Sequence, residues 1–168
     1  MRVFVLLLII LFLFNCSAEK TTKGFYLDGI YKNKEVKYSM GELPDEWVRL
    51  DVESLNMAFY NKKNNGIIYT NGKCNKSSDN SLKVLQTHLL IGFKNKKFET
   101  EELIKYQKRD CLHSVLTAEL DGIERKINYY VFKKDGCLFD IVLISPPEFF
   151  EENNKIFSEL IINKFKIL

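Results

Sequence analysis

The sequence predicts an α+β domain in which a twisted antiparallel sheet of about seven or eight strands is covered by two helices. Three observations predict this class. Short apolar segments with strand-like alternation recur between turn-forming residues. Asp-Gly pairs at residues 121–122 and 135–136 indicate tight hairpins, because this dipeptide accepts the positive φ of the favoured turns. Two longer segments place apolar residues at the 3.6-residue spacing of an amphipathic helix.

The composition is that of one globular domain. The 168 residues include 25 Lys and Arg against 22 Asp and Glu, and 46% are hydrophobic. A formal net charge of +3 over this length is too small for a nucleic-acid surface, since phosphate-binding proteins concentrate basic residues on one face. We therefore expect no nucleic-acid partner.

The first 15 residues have the layout of a secretion signal. Met1 and Arg2 precede an unbroken apolar run over residues 3–14. This run is shorter than the roughly 20 apolar residues of a membrane-spanning helix, and it has the length of a signal-peptide core. We therefore exclude residues 1–15 from the fold, interpret residues 16–23 as a tether, and expect one globular domain over residues 24–168.

Cys16 follows the apolar run directly and precedes small and then charged residues. This arrangement resembles the lipobox of bacterial lipoproteins, which implies that Cys16 is acylated and becomes the first residue of the mature chain. Two or three acyl chains hold a domain on a bilayer, since each buried methylene contributes about 0.8 kcal/mol. The resemblance implies a lipid-anchored protein on the periplasmic side of the inner or outer membrane of a bacterial envelope. An ordinary signal peptide, cleaved nearby, is the alternative.

The elements are expected in a fixed order. Turn signals and alternation predict four strands and a helix in the first half, over residues 35–40, 47–52, 57–60, 67–70 and 81–93. They predict four strands in the second half, over residues 98–106, 112–120, 123–133 and 137–144. Ser145 is then expected to cap a second helix, with Pro146 at its first position and Glu148 completing a capping box.

This order of elements resembles the PsbP/Mog1-like fold over nearly the whole mature chain. Residues 87–92 (THLLIG) and 136–146 (GCLFDIVLISP) are similar to a family of uncharacterised bacterial envelope lipoproteins. The resemblance implies the α+β sandwich and an envelope location, and it supplies no established reaction. PsbP/Mog1-like domains mostly act as assembly or interaction factors, which implies an accessory role here.

Three cysteines follow Cys16, namely Cys74, Cys111 and Cys137. An exported chain meets an oxidising compartment, so a disulfide is the default interpretation for one pair. Cys74 and Cys137 lie at the ends of predicted strands, where two loops can approach, and they form the favoured pair. Another pairing or three free thiols stay open. We predict no metal site and no cofactor, because the sequence has no Cys-x-x-Cys pair and its two histidines lack ligand-spaced partners.

Asp140, His88 and His113 are the remaining candidates for polar chemistry. Asp140 interrupts an apolar strand, so it is expected either to pair with a cation or backbone N–H on the neighbouring strand or to face a polar pocket. His88 is expected to sit at the boundary of a helical apolar face, or to contact a ligand. His113 lies on the strand face opposite Leu112 and Leu116, and we expect it to be solvated.

No pattern in the sequence forms a catalytic constellation, so the leading hypothesis is a non-enzymatic accessory or interaction module. Its expected partners are the membrane, through the lipid anchor, and an unidentified envelope protein. A second hypothesis is a carrier or sensor of a small apolar ligand that serves a lipid-transport system. A third is a hydrolase or redox enzyme that uses Asp140, His88 or Cys111, which would require two of these groups within hydrogen-bond reach in one cleft.

Overall fold

The computed structural model describes residues 24–74 and 80–168. The predicted signal peptide, Cys16 and the predicted tether lie outside the described residues. Within the described part, antiparallel strands form two sheets that pack with helical segments. The expected α+β class is therefore confirmed.

The described strands and helices have the following bounds. The strands are β1 (Phe25–Leu27), β2 (Ile30–Lys32), β3 (Lys37–Ser39), β4 (Trp47–Leu50), β5 (Met57–Asn61), β6 (Ile67–Cys74), β7 (Lys94–Tyr106), β8 (Arg109–Leu120), β9 (Ile123–Lys134), β10 (Cys137–Ser145) and β11 (Lys166–Ile167). The helices are α1 (Leu82–Leu89), between β6 and β7, and α2 (Phe150–Ile156), after β10. A 3₁₀ turn (Pro147–Phe149) precedes α2, and a π-helical segment (Phe157–Ile162) follows it.

The main sheet has seven strands in the order β4-β5-β6-β10-β9-β8-β7. Its second half is a meander joined by the two tight hairpins that the sequence predicts. Asp121 and Gly122 have φ of 52° and 78°, and Asp135 and Gly136 have φ of 53° and 78°. These positive angles are those that Asp-Gly accepts at low cost, so local turn chemistry fixes the register of β8, β9 and β10.

A second sheet of four short strands has the order β1-β2-β3-β11. The sequence predicted a strand at β3 alone, over residues 35–40. Strands β1 and β2 are three residues long, too short to display a convincing alternation. Strand β11 lies at the far end of the chain from β3, with which it pairs. No local sequence pattern predicts such a pairing.

Both faces of the main sheet are covered. One face, which we call the α2 face, packs against the four-stranded sheet and the α2 segment, and its fully buried aromatic residues are Tyr38, Phe132, Phe139, Phe157 and Phe165. The opposite face, the α1 face, packs against α1 through Leu85, Leu90, Leu116, Ile127 and Val142. Consecutive residues of a strand point to opposite faces, so the central strands contribute to both cores.

The C-terminal helical segment begins later than the sequence predicts. Ser145 ends β10 instead of capping a helix, and its hydroxyl donates to the carbonyl of Pro146 at 3.0 Å. It also accepts a hydrogen bond from Nδ2 of Asn153 at 2.9 Å. The capping prediction was wrong because the Ser145 hydroxyl is held by these buried contacts.

Candidate functional site

Asp140 lies on β10 and points into the α1 face, where it is 4% exposed. The hydroxyl of Tyr129 on β9 donates to Oδ1 of Asp140 at 3.0 Å. The partner is on the neighbouring strand, but it is a phenol instead of a cation or a backbone N–H. Burial raises the pKa of Asp140 to about 7, and the hydrogen bond from Tyr129 opposes that rise.

Two phenols interact with Asp140, those of Tyr129 and Tyr69, and neither is acidic enough to serve as its acid–base partner. Burial raises the pKa of Tyr129 far above its usual range, and the nearby Asp140 charge raises it further. Burial and the Asp140 charge also raise the pKa of Tyr69. Both phenols therefore stay protonated near neutral pH, and the Tyr129 hydroxyl is the one that donates to the carboxyl group.

The three residues of the enzyme hypothesis do not meet in one cleft. Asp140 is buried on the α1 face, and Cys111 is buried on the opposite α2 face, so the sheet lies between their side chains. His88 is exposed on α1. Within residues 24–74 and 80–168, no hydrogen bond or ion pair joins any two of them.

Cys74 and Cys137 form a disulfide, with a Cα–Cα distance of 3.9 Å. They face each other directly in the register of β6 and β10, the two strands through which the halves of the main sheet join. Cys111 is a free, fully buried thiol, and burial raises its pKa to about 12. Its thiolate, the reactive form of cysteine, is therefore rare near neutral pH.

His113 takes part in a half-buried polar network, so the prediction that it is solvated was wrong. Its Nε2 is 3.0 Å from Oδ1 of Asn128, its Nδ1 is 3.3 Å from Oε1 of Glu102, and its ring stacks on Tyr130 with 4.3 Å between centroids. Asn128 in turn donates to Oδ1 of Asn154 on α2 at 2.7 Å. The network ties three strands to α2, which is a structural role.

An open groove on the molecule has a volume of about 660 Å³. It lies where the start of α1 meets the ends of β7, β8 and β9. Its apolar lining comes from Leu82 on α1, Leu103 on β7 and Leu112 on β8. Leu112 is 8% exposed and belongs to the α1-face core, whereas Leu103 is 65% exposed. The groove therefore offers water-exposed apolar surface beside the core.

Cationic side chains border this groove. Lys83, Arg109 and Lys133 line it, against one carboxylate, Asp110. The Arg109 guanidinium lies 3.3 Å from the carboxylate of Asp135, and Lys133 donates to the carbonyl of Asn80 at 2.6 Å.

The remaining two charges at the rim have partners of their own. Lys83 forms an ion pair with Glu101, and Asp110 forms one with Lys105. These side chains are substantially exposed, and such pairs contribute about 0 to 1 kcal/mol each. A ligand anion can therefore replace Glu101 beside Lys83 at little cost.

The groove has no signature in the sequence. Its residues come from α1 and three strands, and each resembles an ordinary strand-end lysine or a core leucine in the sequence.

In residues 24–74 and 80–168, no group of three or more His, Cys, Asp or Glu side chains could hold a metal ion. In the same ranges, no helix has both the length and the apolar character needed to cross a bilayer.

No protein-family model and no curated protein matches this sequence. Among solved structures, LpqN, involved in cell envelope biogenesis of Mycobacterium tuberculosis, is similar with a TM-score of 0.58 and 11% identity, over 79% of this chain and 84% of LpqN. The cyanobacterial PsbP of Synechocystis, CyanoP, is similar with a TM-score of 0.55 and 11% identity, over 91% of this chain and 97% of CyanoP. The fold is PsbP-like.

The PsbP-like fold confirms the architectural part of the resemblance seen in the sequence. At 11% identity, the likeness concerns the path of the chain and carries no residue roles. The groove beside α1 and the Asp140–Tyr129 pair are therefore interpreted from this chain's own residues.

Proposed function

We propose that this protein is a membrane-anchored envelope lipoprotein that acts as a non-enzymatic accessory module and binds an amphiphilic envelope component in the groove beside α1. The observation that carries the proposal is the groove itself, with a leucine lining and a cationic rim. The PsbP-like fold, shared with the envelope-biogenesis protein LpqN, supports the accessory role.

The apolar lining supplies the affinity in this proposal. Leu103 exposes most of its side chain beside the buried Leu112. Covering apolar surface contributes roughly 25 cal/mol per Å², so a leucine-sized contact contributes about 1.5 to 3 kcal/mol when it is fully buried. An apolar segment of a partner protein would provide that cover.

The cations supply orientation and selectivity. Lys83, Arg109 and Lys133 line the groove together with one carboxylate, Asp110. Two of these cations pair with carboxylates outside the lining, Glu101 and Asp135. A phosphate or carboxylate head placed at the rim gains charge-assisted hydrogen bonds, which are shorter and stronger than neutral ones. The preferred occupant is thus apolar at one end and anionic at the other.

Acyl chains at Cys16 complete the proposal by holding the domain at a membrane, on the periplasmic side of the inner or outer membrane. An accessory protein that meets its partner at a membrane gains effective concentration from such tethering. The lipobox-like sequence before Cys16 supports this part of the proposal.

A second candidate is a carrier or sensor of a small apolar ligand that serves a lipid-transport system. The volume of the groove favours it, because about 660 Å³ falls within the range of roughly 300 to 1,000 Å³ that is usual for small-molecule sites. In this case the occupant is a single lipid-like molecule instead of a partner protein.

Photo-cross-linking in the native host tests both candidates. The full-length chain receives a benzophenone amino acid at Leu103, in the groove, or at Ile123, which is 55% exposed at the opposite ends of the strands. We expect adducts from Leu103 alone, and fewer of them when Arg109→Glu is added. A protein adduct supports the accessory module, and a lipid adduct supports the carrier. Equal adducts from both positions, or none from Leu103, would contradict the groove as a binding site.

A further inference from the structure

The four-stranded sheet has an outer face that is exposed to solvent. Tyr31 and Tyr38 are buried and pack with Tyr26 and Ile167 in the α2-face core. Because successive strand residues point to opposite sides, the residues that alternate with them point outward. The residues on that side form what we call the outer face.

Four outward-pointing residues of this face are large and apolar. Phe25, Leu27, Ile30 and Leu168 are 66%, 56%, 37% and 57% exposed. Leu27 lies opposite Ile30 in the register of β1 and β2, and the N–H of Leu168 donates to the carbonyl of Lys37 at 2.9 Å. Exposed apolar residues are usually scattered, whereas a cluster on one small sheet indicates a contact surface.

The other outward residues of this face are mainly lysines. Lys32 lies opposite both Phe25 and Lys37, and Lys166 lies opposite Ser39. All three lysines are exposed, and none of the four strands contains an Asp or Glu. The outer face therefore alternates apolar side chains with positive charge.

Acidic residues lie in the two turns of this sheet and after β3, where burial and then the charge of Glu42 raise the pKa of Tyr26. Asp28 is in the turn between β1 and β2, and Glu35 is in the turn between β2 and β3. Oε2 of Glu35 accepts a hydrogen bond from the N–H of Cys74 at 3.1 Å, which directs that carboxylate toward the main sheet. On the strands of the outer face themselves, all charged side chains are lysines.

The outer face is also the part of the fold nearest in sequence to the proposed anchor. Phe25 follows Cys16 by nine residues. Even a fully extended chain of this length spans at most about 30 Å. A domain anchored at Cys16 therefore has β1 within about 30 Å of the bilayer, and it must present one of its surfaces to the headgroups.

We infer that the outer face docks on an anionic lipid bilayer, the one in which the proposed Cys16 acyl chains are inserted. The inference rests on that anchor and adds the orientation of the domain. Phe25, Leu27 and Ile30 enter the interface between headgroups and acyl chains, as apolar residues of peripheral proteins do. Lys32, Lys37 and Lys166 extend toward lipid phosphates, with their methylene stems along the apolar residues.

This orientation leaves the groove beside α1 accessible. The outer face lies beyond the α2 face of the main sheet, whereas the groove belongs to the α1 face. Docking therefore turns the groove away from the bilayer that carries the anchor.

Tryptophan quenching by brominated lipid tests the inference on the full-length chain. Phe25→Trp places the probe on the outer face, and Ile123→Trp is the matched control at an exposed hairpin position. Both variants keep Trp47, which is buried and gives the same background. Each protein is incorporated into vesicles of brominated phosphatidylcholine with about 30% phosphatidylglycerol, the anionic lipid. The mass of the Cys16 peptide is measured on the same samples.

A pair of charge variants shows whether the lysines drive the docking. The triple variant Lys32→Glu, Lys37→Glu and Lys166→Glu is compared with a control of equal charge change, Lys62→Glu, Lys63→Glu and Lys94→Glu, at exposed positions away from this face. Each lysine near an anionic surface contributes about fivefold in affinity, so the first triple should weaken docking strongly.

We expect the quenching of Phe25→Trp to be at least severalfold greater than that of Ile123→Trp. When the outer-face triple is added to Phe25→Trp, this excess quenching should disappear. When the control triple is added instead, it should remain. Equal quenching at the two positions, or quenching that both triples leave unchanged, would overturn the inference. A dimer in detergent that buries Phe25, together with an unquenched probe on vesicles, would overturn it in favour of a second copy of the chain. A Cys16 peptide without acyl mass would refute the proposed anchor, and the comparison of the two probes would still decide the orientation on added vesicles.

Discussion

Tyr129 donates its hydroxyl hydrogen to Oδ1 of Asp140 at 3.0 Å, between neighbouring strands on the α1 face of the main sheet. Asp140 is almost fully buried, and burial raises its pKa to about 7. This pair places a titratable carboxyl group inside a hydrophobic core, so the stability of the domain must depend on pH.

The direction of that dependence follows from the two pKa values. An unfolded Asp has a pKa of about 3.9. Between about pH 4 and pH 7 the folded chain binds one proton more than the unfolded chain does, so the free energy of unfolding decreases as pH rises through this window. Above about pH 7 both states have lost the proton, and this contribution stays constant.

Asp140→Asn removes this titration while keeping an oxygen that can accept from Tyr129. We expect the variant to gain stability relative to wild type as pH rises from 5 to 8, by about 3 kcal/mol. Urea unfolding at several pH values measures the change. Asp121→Asn, at an exposed hairpin position, is the control, and its free energy of unfolding should depend on pH as that of wild type does. Parallel pH profiles for wild type and Asp140→Asn would refute the burial of this carboxyl group.

The disulfide between Cys74 and Cys137 should contribute strongly to stability, because it closes a sequence separation of 63 residues. The chain-entropy model gives about 4 kcal/mol for a loop of this length. We expect reduction of the folded protein, and the double variant Cys74→Ala and Cys137→Ala, to lower the free energy of unfolding by a similar amount. Urea unfolding with and without reductant measures it. The double variant serves as its own control, since it should not respond to reductant.

Asn153 should be the most sensitive polar residue of α2. It is fully buried, exchanges two hydrogen bonds with Asn64 at 2.9 and 3.1 Å, and donates to Ser145 at 2.9 Å. Asn153→Ala leaves the buried Asn64 amide without this partner, which we expect to cost about 2 to 3 kcal/mol. Thermal or urea unfolding measures the loss. The control Asn163→Ala, at an exposed position, should change stability by less than about 0.5 kcal/mol.

The parts of the fold that sequence analysis predicted are those fixed by local chemistry. The hairpins at Asp121-Gly122 and Asp135-Gly136 require only that two residues adopt positive φ, which the dipeptide itself favours. Strands β8 and β9 have 12 residues each, which is long enough for their alternation of residue types to be recognised in the sequence. The four-stranded sheet stayed mostly hidden, because its pairing of β3 with β11 joins opposite ends of the chain.

His113 shows why a pattern of alternation can mislead. The apolar series with Leu112 and Leu116 suggests a strand with one solvated face. Strand β8 is covered on both faces, however, so the second face holds a polar network with Asn128 beneath α2. A polar residue in a strand is therefore not evidence of solvent when the sheet lies between two layers.

The candidate groove could not be predicted from the sequence, because its lining residues come from the ends of separate elements that meet only in the folded chain. Leu103 and Leu112 become neighbours through the register of β7 and β8, and Lys133 reaches them from β9. In contrast, the sequence did show that Asp140 is unusual, because a lone carboxyl group in an apolar strand needs a hydrogen-bonding or charged partner when it is buried. The identity of its partner depended on the register of β9 and β10, which places Tyr129 beside it.

The central claim is that the chain is exported and acylated at Cys16, and metabolic labelling with a palmitate analogue tests it most directly. Wild type and Cys16→Ala are labelled in the native host, and membrane and soluble fractions are compared. The account predicts label on a processed wild-type chain in the membrane fraction and no label on Cys16→Ala. An unlabelled, unprocessed wild-type chain in the soluble fraction would contradict it.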